Sequence, residues 1–582
     1  MLRICKKFFS LFSKEQKKKI IALFFMMLVG AFLEVIGVSL MIPLVTVVLQ
    51  PDMIMENEML RSGCEFLGIH THQSFVLICA ITLIVVFIIK NSYLMLQYYA
   101  QSEFSYNSRF TTQCRMLKAF MLRPYEYYLN AQTGEIVRII QNDITQSYSL
   151  FLLLLGAIKD LIVTIALIIT IFILNPVMTI LAAVFLLSTI LLIAKVVKPI
   201  LEREGLEFQK YSAITNTWLF QAISGIKAIK VNHKEAFFET NYGVYGKKMI
   251  RTRKINAVME NCPRLLIEMI SVCAMLSIVA GYVYLDKNME ALIPTLGAFG
   301  MAALRLMPSA NRIVTAVNSI AFYEPAVDSL LKNIKNLQEL EEKCAIFHEN
   351  TKREKKNLLL NKEIALKDIL YHYPNSKKNI LEKASLVIPV GKSVGIVGPS
   401  GAGKTTVIDI MLGLLTPQQG TVMVDDVDVM SAYEEWLSMV GYIPQNIFLM
   451  DDSIRANIAF GQRESEYSEE AVWQALKDAQ LDEFVRGLPQ GLDTCIGESG
   501  IRLSGGQRQR IGIARALYTN PEVLVFDEAT SALDNGTEAA IMESINLLKG
   551  KKTMVIIAHR TQTIQGCDMV YRVNGTKITR ER

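Results

Sequence analysis

Apolar residues fall in long, nearly unbroken runs over the first half of the chain and in short alternating runs over the second, with the change near residue 324. Six runs are long enough to cross a bilayer, at residues 20–49, 74–100, 148–174, 176–197, 261–285 and 291–323. About 20 residues at a 1.5 Å rise cover a hydrocarbon core of about 30 Å. The connections are unequal. Asn175 alone separates the third and fourth runs, and residues 286–290 separate the fifth and sixth. Residues 50–73 are acidic, whereas 101–147 and 198–260 are long and basic. Both basic stretches keep helical spacing, which predicts helices that run on below the membrane and turn near Tyr125–Tyr128 and Ser224–Ile226. The excess of Lys and Arg there puts both termini and these loops in the cytoplasm, and the expected location is the inner (cytoplasmic) membrane, as a multi-pass protein.

The first 20 residues carry seven Lys or Arg. A signal peptide also begins basic, but its apolar core is about 7–15 residues long. The run beginning at Ile20 is about twice that and ends in "IPLVTVVLQP", so a retained membrane helix is expected. Beyond residue 323, the segment 324–357 is a charged linker, and from 358 onward β-rich runs alternate with helical ones. The expected fold is therefore multidomain. An all-α transmembrane domain of six helices (1–323) precedes an α/β P-loop nucleotide-binding domain (358–582). Composition agrees: of 582 residues, 51% are hydrophobic while 20% are charged, and the mean hydropathy is +0.30. The net charge of +6 is too modest to imply nucleic acid as a partner. Nine cysteines without a CxxC pair indicate neither a disulfide framework nor a zinc site.

The chemistry begins at "GPSGAGKT", Gly398 to Thr405, between the strand "SVGIV" and a helix. Its glycines Gly398, Gly401 and Gly403, with Ser400, let backbone N–H groups wrap phosphates. Lys404 is placed to reach the terminal phosphates and Thr405 to ligate Mg²⁺, with Thr406 among the nucleotide contacts. Further on, the apolar strand "VLVFDE" ends in Asp527, placed to hold the metal, and Glu528, placed to polarise a water. The alternative for such paired acids is helix N-capping. "LSGGQ" puts Ser504, Gly505, Gly506 and Gln507 at a helix start and makes a second phosphate surface. One domain cannot bring two such surfaces to one γ-phosphate, so the second is expected to serve a partner copy.

These segments together resemble the ATP-binding cassette transporters over the whole second domain. Gly398–Thr405 is similar to the Walker A loop, "LSGGQ" to the signature, and "VLVFDE" to the Walker B strand. Gln445 in "GYIPQN" resembles the Q-loop glutamine, a metal ligand and catalytic-site residue. "SALD", ending at Asp534, resembles the D-loop, and His559 in "IIAHR" the switch histidine. Tyr373 matches the aromatic that stacks on adenine, and Glu498 a residue that contacts the membrane domain in exporters. The resemblance implies ATP and Mg²⁺ as cofactors and a head-to-tail dimer. One membrane domain plus one cassette is a half-transporter, and a homodimer is the economical form.

The membrane half carries charges inside its apolar runs. Counted from each run's outer end, Glu34, Lys90, Lys159, Asp160, Glu268 and Arg305 lie roughly 21–26 Å deep, and Arg264 and Arg312 about 32 Å deep. Gly30, Glu34 and Gly37 share one helix face, which predicts a packed neighbour or cavity there rather than lipid. The expected pairings are Glu34 with Lys90 and Arg264 with Glu268. That leaves Arg305 and Arg312 to face the cavity and suggests a substrate with negative charge. "EVIGVSLMIPL", "PRLLIE" and "ALRLMPSANRI" resemble, within the exporters, the lipid-linked oligosaccharide flippases of bacterial protein glycosylation. Residues 50–73 would match that group's short external helix. By that resemblance Lys90, Arg264, Arg305 and Arg312 are the candidate contacts to a lipid pyrophosphate. The expectation is an ATP-driven flippase, an ATP hydrolase coupled to translocation, moving an amphipathic anionic substrate among membrane lipids. A peptide, lipid or drug exporter is the first alternative, and an ATP-gated channel or non-transporting regulator is another.

Overall fold

A computed structural model describes residues 2–39, 72–174, 176–284, 292–353, 358–497, 500–528, 548–557 and 564–582. The chain divides into two compact units, one formed by residues 1–123 and 131–341, the other by 124–130 and 342–582.

The first unit is helical. Helices α1 (Leu2–Leu11), α2 (Lys14–Ser39) and α3 (His72–Met121) lead to a short α4 (Tyr125–Tyr128), which itself clusters with the second unit. Then come α5 (Thr133–Val137), a π-helical turn (Arg138–Asp143), α6 (Ile144–Leu174), α7 (Pro176–Ser224), α8 (Ile226–Asn232), α9 (Glu235–Tyr284) and α10 (Leu292–Arg353). Among the described residues, three segments are long and apolar enough to cross a membrane: Lys14–Ile36, Val76–Met121 and Thr133–Ala166. The other three apolar runs lie on α7, α9 and α10. Helices α3, α7 and α9 continue far past their apolar runs, and the chain turns at α4 and α8, beside the segments where helical spacing breaks. The external helix expected within 50–73 lies, up to residue 71, outside the described residues.

Packing between these helices is close. Tyr93 on α3 donates to the Met26 carbonyl of α2 at 3.0 Å. A Cβ on Gly30 would stand 2.2 Å from Gln97 Oε1, so a larger residue there would have to displace the Gln97 side chain that α3 presents to α2. The face predicted to meet a neighbour does so at Gly30. Val197, Leu201 and Phe208 of α7 pack with Val314, Ala321 and Phe322 of α10.

The second unit is an α/β domain. Its first sheet has order β2-β1-β4-β5, from β1 (Glu363–Tyr371), β2 (Leu381–Pro389), β4 (Gln419–Val424) and β5 (Val427–Asp428), all antiparallel. The second has order β10-β9-β3-β8-β7-β6, from β3 (Ser393–Val397), β6 (Val440–Ile443), β7 (Val523–Asp527), β8 (Thr553–Ile557), β9 (Met569–Asn574) and β10 (Lys577–Arg580). Strands β9, β3, β8, β7 and β6 are parallel. Continuous apolar runs such as "VLVFD" are what a parallel strand buried on both faces requires, and β7 and β8 are buried throughout. Helices α11 (Lys404–Met411), α12 (Tyr433–Met439), α13 (Ile454–Ile458), α14 (Glu469–Asp478), α15 (Asp482–Arg486) and α16 (Gly505–Tyr518) complete it. One core gathers around β1–β4 and α11, where buried Trp436 donates from Nε1 to the Met411 carbonyl at 3.1 Å. A second gathers around α14 and α16.

Candidate nucleotide site and membrane charge pairs

The loop before α11 is shaped by residues that β3 delivers. Gly403 sits at φ +97°, a left-handed conformation that a side chain rarely adopts, and a Cβ there would meet Ile380 Cγ2 at 2.8 Å. Lys404 is buried, and its ammonium donates to the Gly398 and Pro399 carbonyls at 3.1 Å each. Tyr373 Oη lies 3.0 Å from Thr406 Oγ1, and its ring meets Tyr371 edge-on at 5.3 Å. Tyr373 is thereby fixed beside the first turn of α11.

Asp527 ends β7 in a buried position. Tyr442 donates to its Oδ2 at 3.4 Å, while Oδ1 is buried with no hydrogen-bond partner among the described residues. Burial, then the neighbouring Glu528, push its carboxyl above the ordinary range. Asp409 on α11 is pushed up to about 6, by burial and by Asp527. Two acids crowded into a low-dielectric site, one with an orphaned oxygen, fit a divalent cation held by Asp527. Glu528, half-buried and at φ +50°, accepts from Gln445 Nε2 at 2.7 Å. The strand end, the P-loop helix and the segment after β6 therefore converge on one place.

At the signature, Ser504 caps α16. Its Oγ accepts from Gln507 N at 3.2 Å, and Gln507 Oε1 accepts from Ser504 N at 2.9 Å, a capping box. Gly505 is open on its side-chain side and Gly506 is buried. Among the described residues, no hydrogen bond or ion pair joins Ser504–Gln507 to the P-loop. Asp534, His559 and Glu498 lie outside the described residues.

In the helical unit the charges pair differently from the sequence expectation. Glu34 stands 3.2 Å from Lys159, not Lys90, as an ion pair without hydrogen-bond geometry. Lys90 instead lies 4.2 Å above the Phe87 ring, one turn back on its own helix. Arg312 is not unpaired: Nε donates to Asp160 Oδ2 at 2.6 Å and Nη2 to Oδ1 at 2.8 Å. Arg264 and Glu268 are both exposed and, among the described residues, make no ion pair, although they lie four residues apart. The side chain of Arg305 lies outside the described residues. For Arg312, depth counted from assumed run ends put it in a different tier from Asp160, while for Glu34 depth did not separate Lys159 from Lys90. A boundary misplaced by four residues moves a residue by about 6 Å, roughly the reach of an arginine. The missed signal was the adjacent pair Lys159–Asp160, which offers both signs from one helix.

The fold and the P-loop site define a nucleotide-binding cassette joined to a helical membrane domain, and the comparisons agree. The profile "ABC transporter transmembrane region" matches residues 20–303, and "ABC transporter" matches 381–531. The chain belongs to the ABC transporters, with membrane and ATPase domains fused in one polypeptide. Among relatives, an ATP-dependent lipid A-core flippase of Vibrio cholerae is 41% identical over 220 residues, 38% of each chain. ABC transporter B family member 29, chloroplastic, of Arabidopsis thaliana is 30% identical over 408 residues, 69% of this chain and 62% of that one. The matches thus span less than two thirds of these relatives' lengths. In fold, the chain is similar to a bacterial Atm1-family ABC exporter solved with ATP bound: TM-score 0.73, 19% identity, covering 97% of this chain and 94% of that one.

Proposed function

We propose that this protein is an ATP-driven exporter of the flippase kind, acting as a head-to-tail homodimer in the inner membrane with both termini cytoplasmic. The observation that carries the ATPase reading is the Gln445–Glu528 hydrogen bond beside the orphaned Oδ1 of Asp527. Thr405, Asp527 and Gln445 would hold Mg²⁺, which when bound offsets the negative charge of the phosphates. Glu528 orients the attacking water and accepts its proton. Lys404 exchanges its two loop carbonyls for phosphate oxygens. Tyr373 stacks on the base, while Ser504–Gln507 present the N-terminus of α16 to the nucleotide of the partner copy, together with Asp534. His559 completes the γ-phosphate contacts.

The substrate best fitting this reading is a lipid-linked saccharide with an anionic linkage, a polyprenyl-pyrophosphate glycan in chemical terms. The relative named an ATP-dependent lipid A-core flippase supports a lipid substrate. With Arg312 engaged by Asp160 and Lys159 by Glu34, the cations left to meet such a headgroup are Lys90 and Arg264, with Arg305 on the same helix as Arg312. Substrate-stimulated ATPase in nanodiscs tests it. A polyprenyl-pyrophosphate glycan should raise turnover, and Arg264→Ala should remove the stimulation while sparing basal hydrolysis. Stimulation by peptides or neutral drugs alone would replace this reading with the general exporter.

A further inference from the structure

The N-terminal helix α1 is amphipathic in an unusual way. Ile4, Phe8 and Phe12, the last just beyond its end, are buried. Phe8 and Phe12 meet Phe151 at 5.5 and 4.9 Å between ring centroids, and Phe12 meets Phe104 at 5.8 Å. Phe151 lies three residues inside the third apolar run and Phe104 four residues past the second. The helix therefore runs at the boundary between hydrocarbon and headgroups. Phe9 is 49% exposed on the same helix, with Lys17 Nζ 5.1 Å from its ring centroid. An exposed phenylalanine at that depth sits in lipid, and the adjacent ammonium sits at the headgroups.

Arg3, Lys6, Lys7 and Ser10 of α1 line a cavity of about 820 Å³ together with α10. Its walls carry Arg3, Lys6, Lys7, Lys332 and Lys335 against one acid, Asp328. Lys7 is neutralised twice, by Glu324 at 2.7 Å and Asp328 at 2.5 Å. The other four cations make no ion pair among the described residues. Arg3, Lys6, Lys332 and Lys335 are all exposed to the cavity's solvent. Four uncompensated cations repel one another, which favours an anion between them.

We propose that this cavity binds the phosphate headgroup of an anionic phospholipid from the cytoplasmic leaflet, with Phe9 beside the acyl chains. The site is separate from any translocated substrate. It clamps the first helix to the last, α1 to α10, through a lipid. The exposed Phe9 selects a lipid over free phosphate, because only a lipid buries that ring.

The test uses the full-length protein in neutral detergent, titrated with dioctanoyl-phosphatidylglycerol, dioctanoyl-phosphatidylcholine or inorganic phosphate and followed by native mass spectrometry. Phosphatidylglycerol should bind, with the other two at least about ten-fold weaker. Lys332→Gln with Lys335→Gln, which leaves α1 intact, should weaken phosphatidylglycerol about ten-fold or more, given the usual strength of headgroup attraction per cation. Asp328→Asn should tighten it, a gain that misfolding cannot produce, and Lys247→Gln should change nothing. Unchanged affinity in the double variant would overturn the proposal. Inorganic phosphate binding as tightly as the lipid would also overturn it, in favour of a soluble-anion site.

Discussion

Arg312 grips Asp160 through two parallel hydrogen bonds, Nε to Oδ2 at 2.6 Å and Nη2 to Oδ1 at 2.8 Å, linking α10 to α6 inside the apolar part of the helical unit. The Asp160 side chain is 2% exposed and that of Arg312 53%. Removing only the arginine strands a buried carboxylate. Arg312→Ala should therefore cost stability, about 2–3 kcal/mol once the half-exposed partner is discounted. Asp160→Asn on top of Arg312→Gln should recover most of that. The measurement is a double-variant cycle by thermal melting of the purified protein. Strictly additive losses would mean that the pair contributes nothing as a pair. Because the arginine is structural here, loss of transport in Arg312→Ala would not by itself identify a substrate contact.

The nucleotide half was the legible half of this sequence. A P-loop works through backbone geometry, so its glycines and Lys404 must appear at fixed spacing, and strand β3 and helix α11 flank them as that spacing demands. The doubly buried strands announced themselves as continuous apolar runs. What stayed hidden depends on which helices face each other. Lys159 and Lys90 were equally available to Glu34 by depth, and only the approach of α2 to α6 selects Lys159. Asp409 reads as an ordinary helix position, and only the neighbouring end of β7 makes it a second acid beside Asp527.

Glu528 follows Asp527 and is held by Gln445 Nε2 at 2.7 Å. Glu528→Gln removes the proton acceptor while keeping size and hydrogen bonding. It should bind ATP normally and hydrolyse it at least about 100-fold more slowly, the usual scale of a lost general base. Turnover near wild type in a purified, ATP-binding variant would remove Glu528 from that role.

Asp409 gives a pH signature in the absence of nucleotide. Its carboxyl is raised from 3.8 to about 6 in the folded state. Between about pH 4 and 6 the folded chain keeps a proton that the unfolded chain has lost, so rising pH lowers stability across that window and the loss levels off above it. Asp409→Asn removes the burden. Near pH 7.5 it should raise melting of the ATPase domain by about 2–4 °C, and near pH 4 the two proteins should melt alike. A variant that melts lower at pH 7.5 would show that the carboxylate is compensated.

Among the described residues, no hydrogen bond joins Ser504 to Lys404, and one γ-phosphate cannot take two helix N-termini from the same domain. If the signature acts in the partner, Lys404→Ala and Ser504→Ala homodimers should each be inactive. Co-expressed, the two chains should form mixed dimers with one intact composite site. ATPase activity in the tandem-purified mixture, above either parent, is the expected result. Full activity in a monomeric fraction would refute assembly of the site from two copies.

Arg515 on α16 joins the signature helix to the segment that follows Gln445. Its Nε donates to the Asn457 carbonyl at 2.7 Å, Nη1 to the Phe448 carbonyl at 2.7 Å and Nη2 to Asn457 Oδ1 at 3.1 Å. The guanidinium also lies 4.6 Å from the Phe460 ring centroid. Burial lowers its pKa, and carbonyl and amide oxygens rather than a carboxylate hold it. A planar fork satisfies these directions together, whereas an ammonium on a flexible stem reaches one or two of them. Arg515→Lys keeps the charge yet cannot serve all three acceptors, and losing the donor to the carbonyl of buried Asn457 costs about 1–3 kcal/mol. The expected outcome is a lower melting temperature for the ATPase domain and weaker stimulation by substrate, with ATP affinity unchanged because no nucleotide contact is touched. Equal stability in Arg515→Lys would show that charge alone, not the three-way geometry, fastens α16 to this segment.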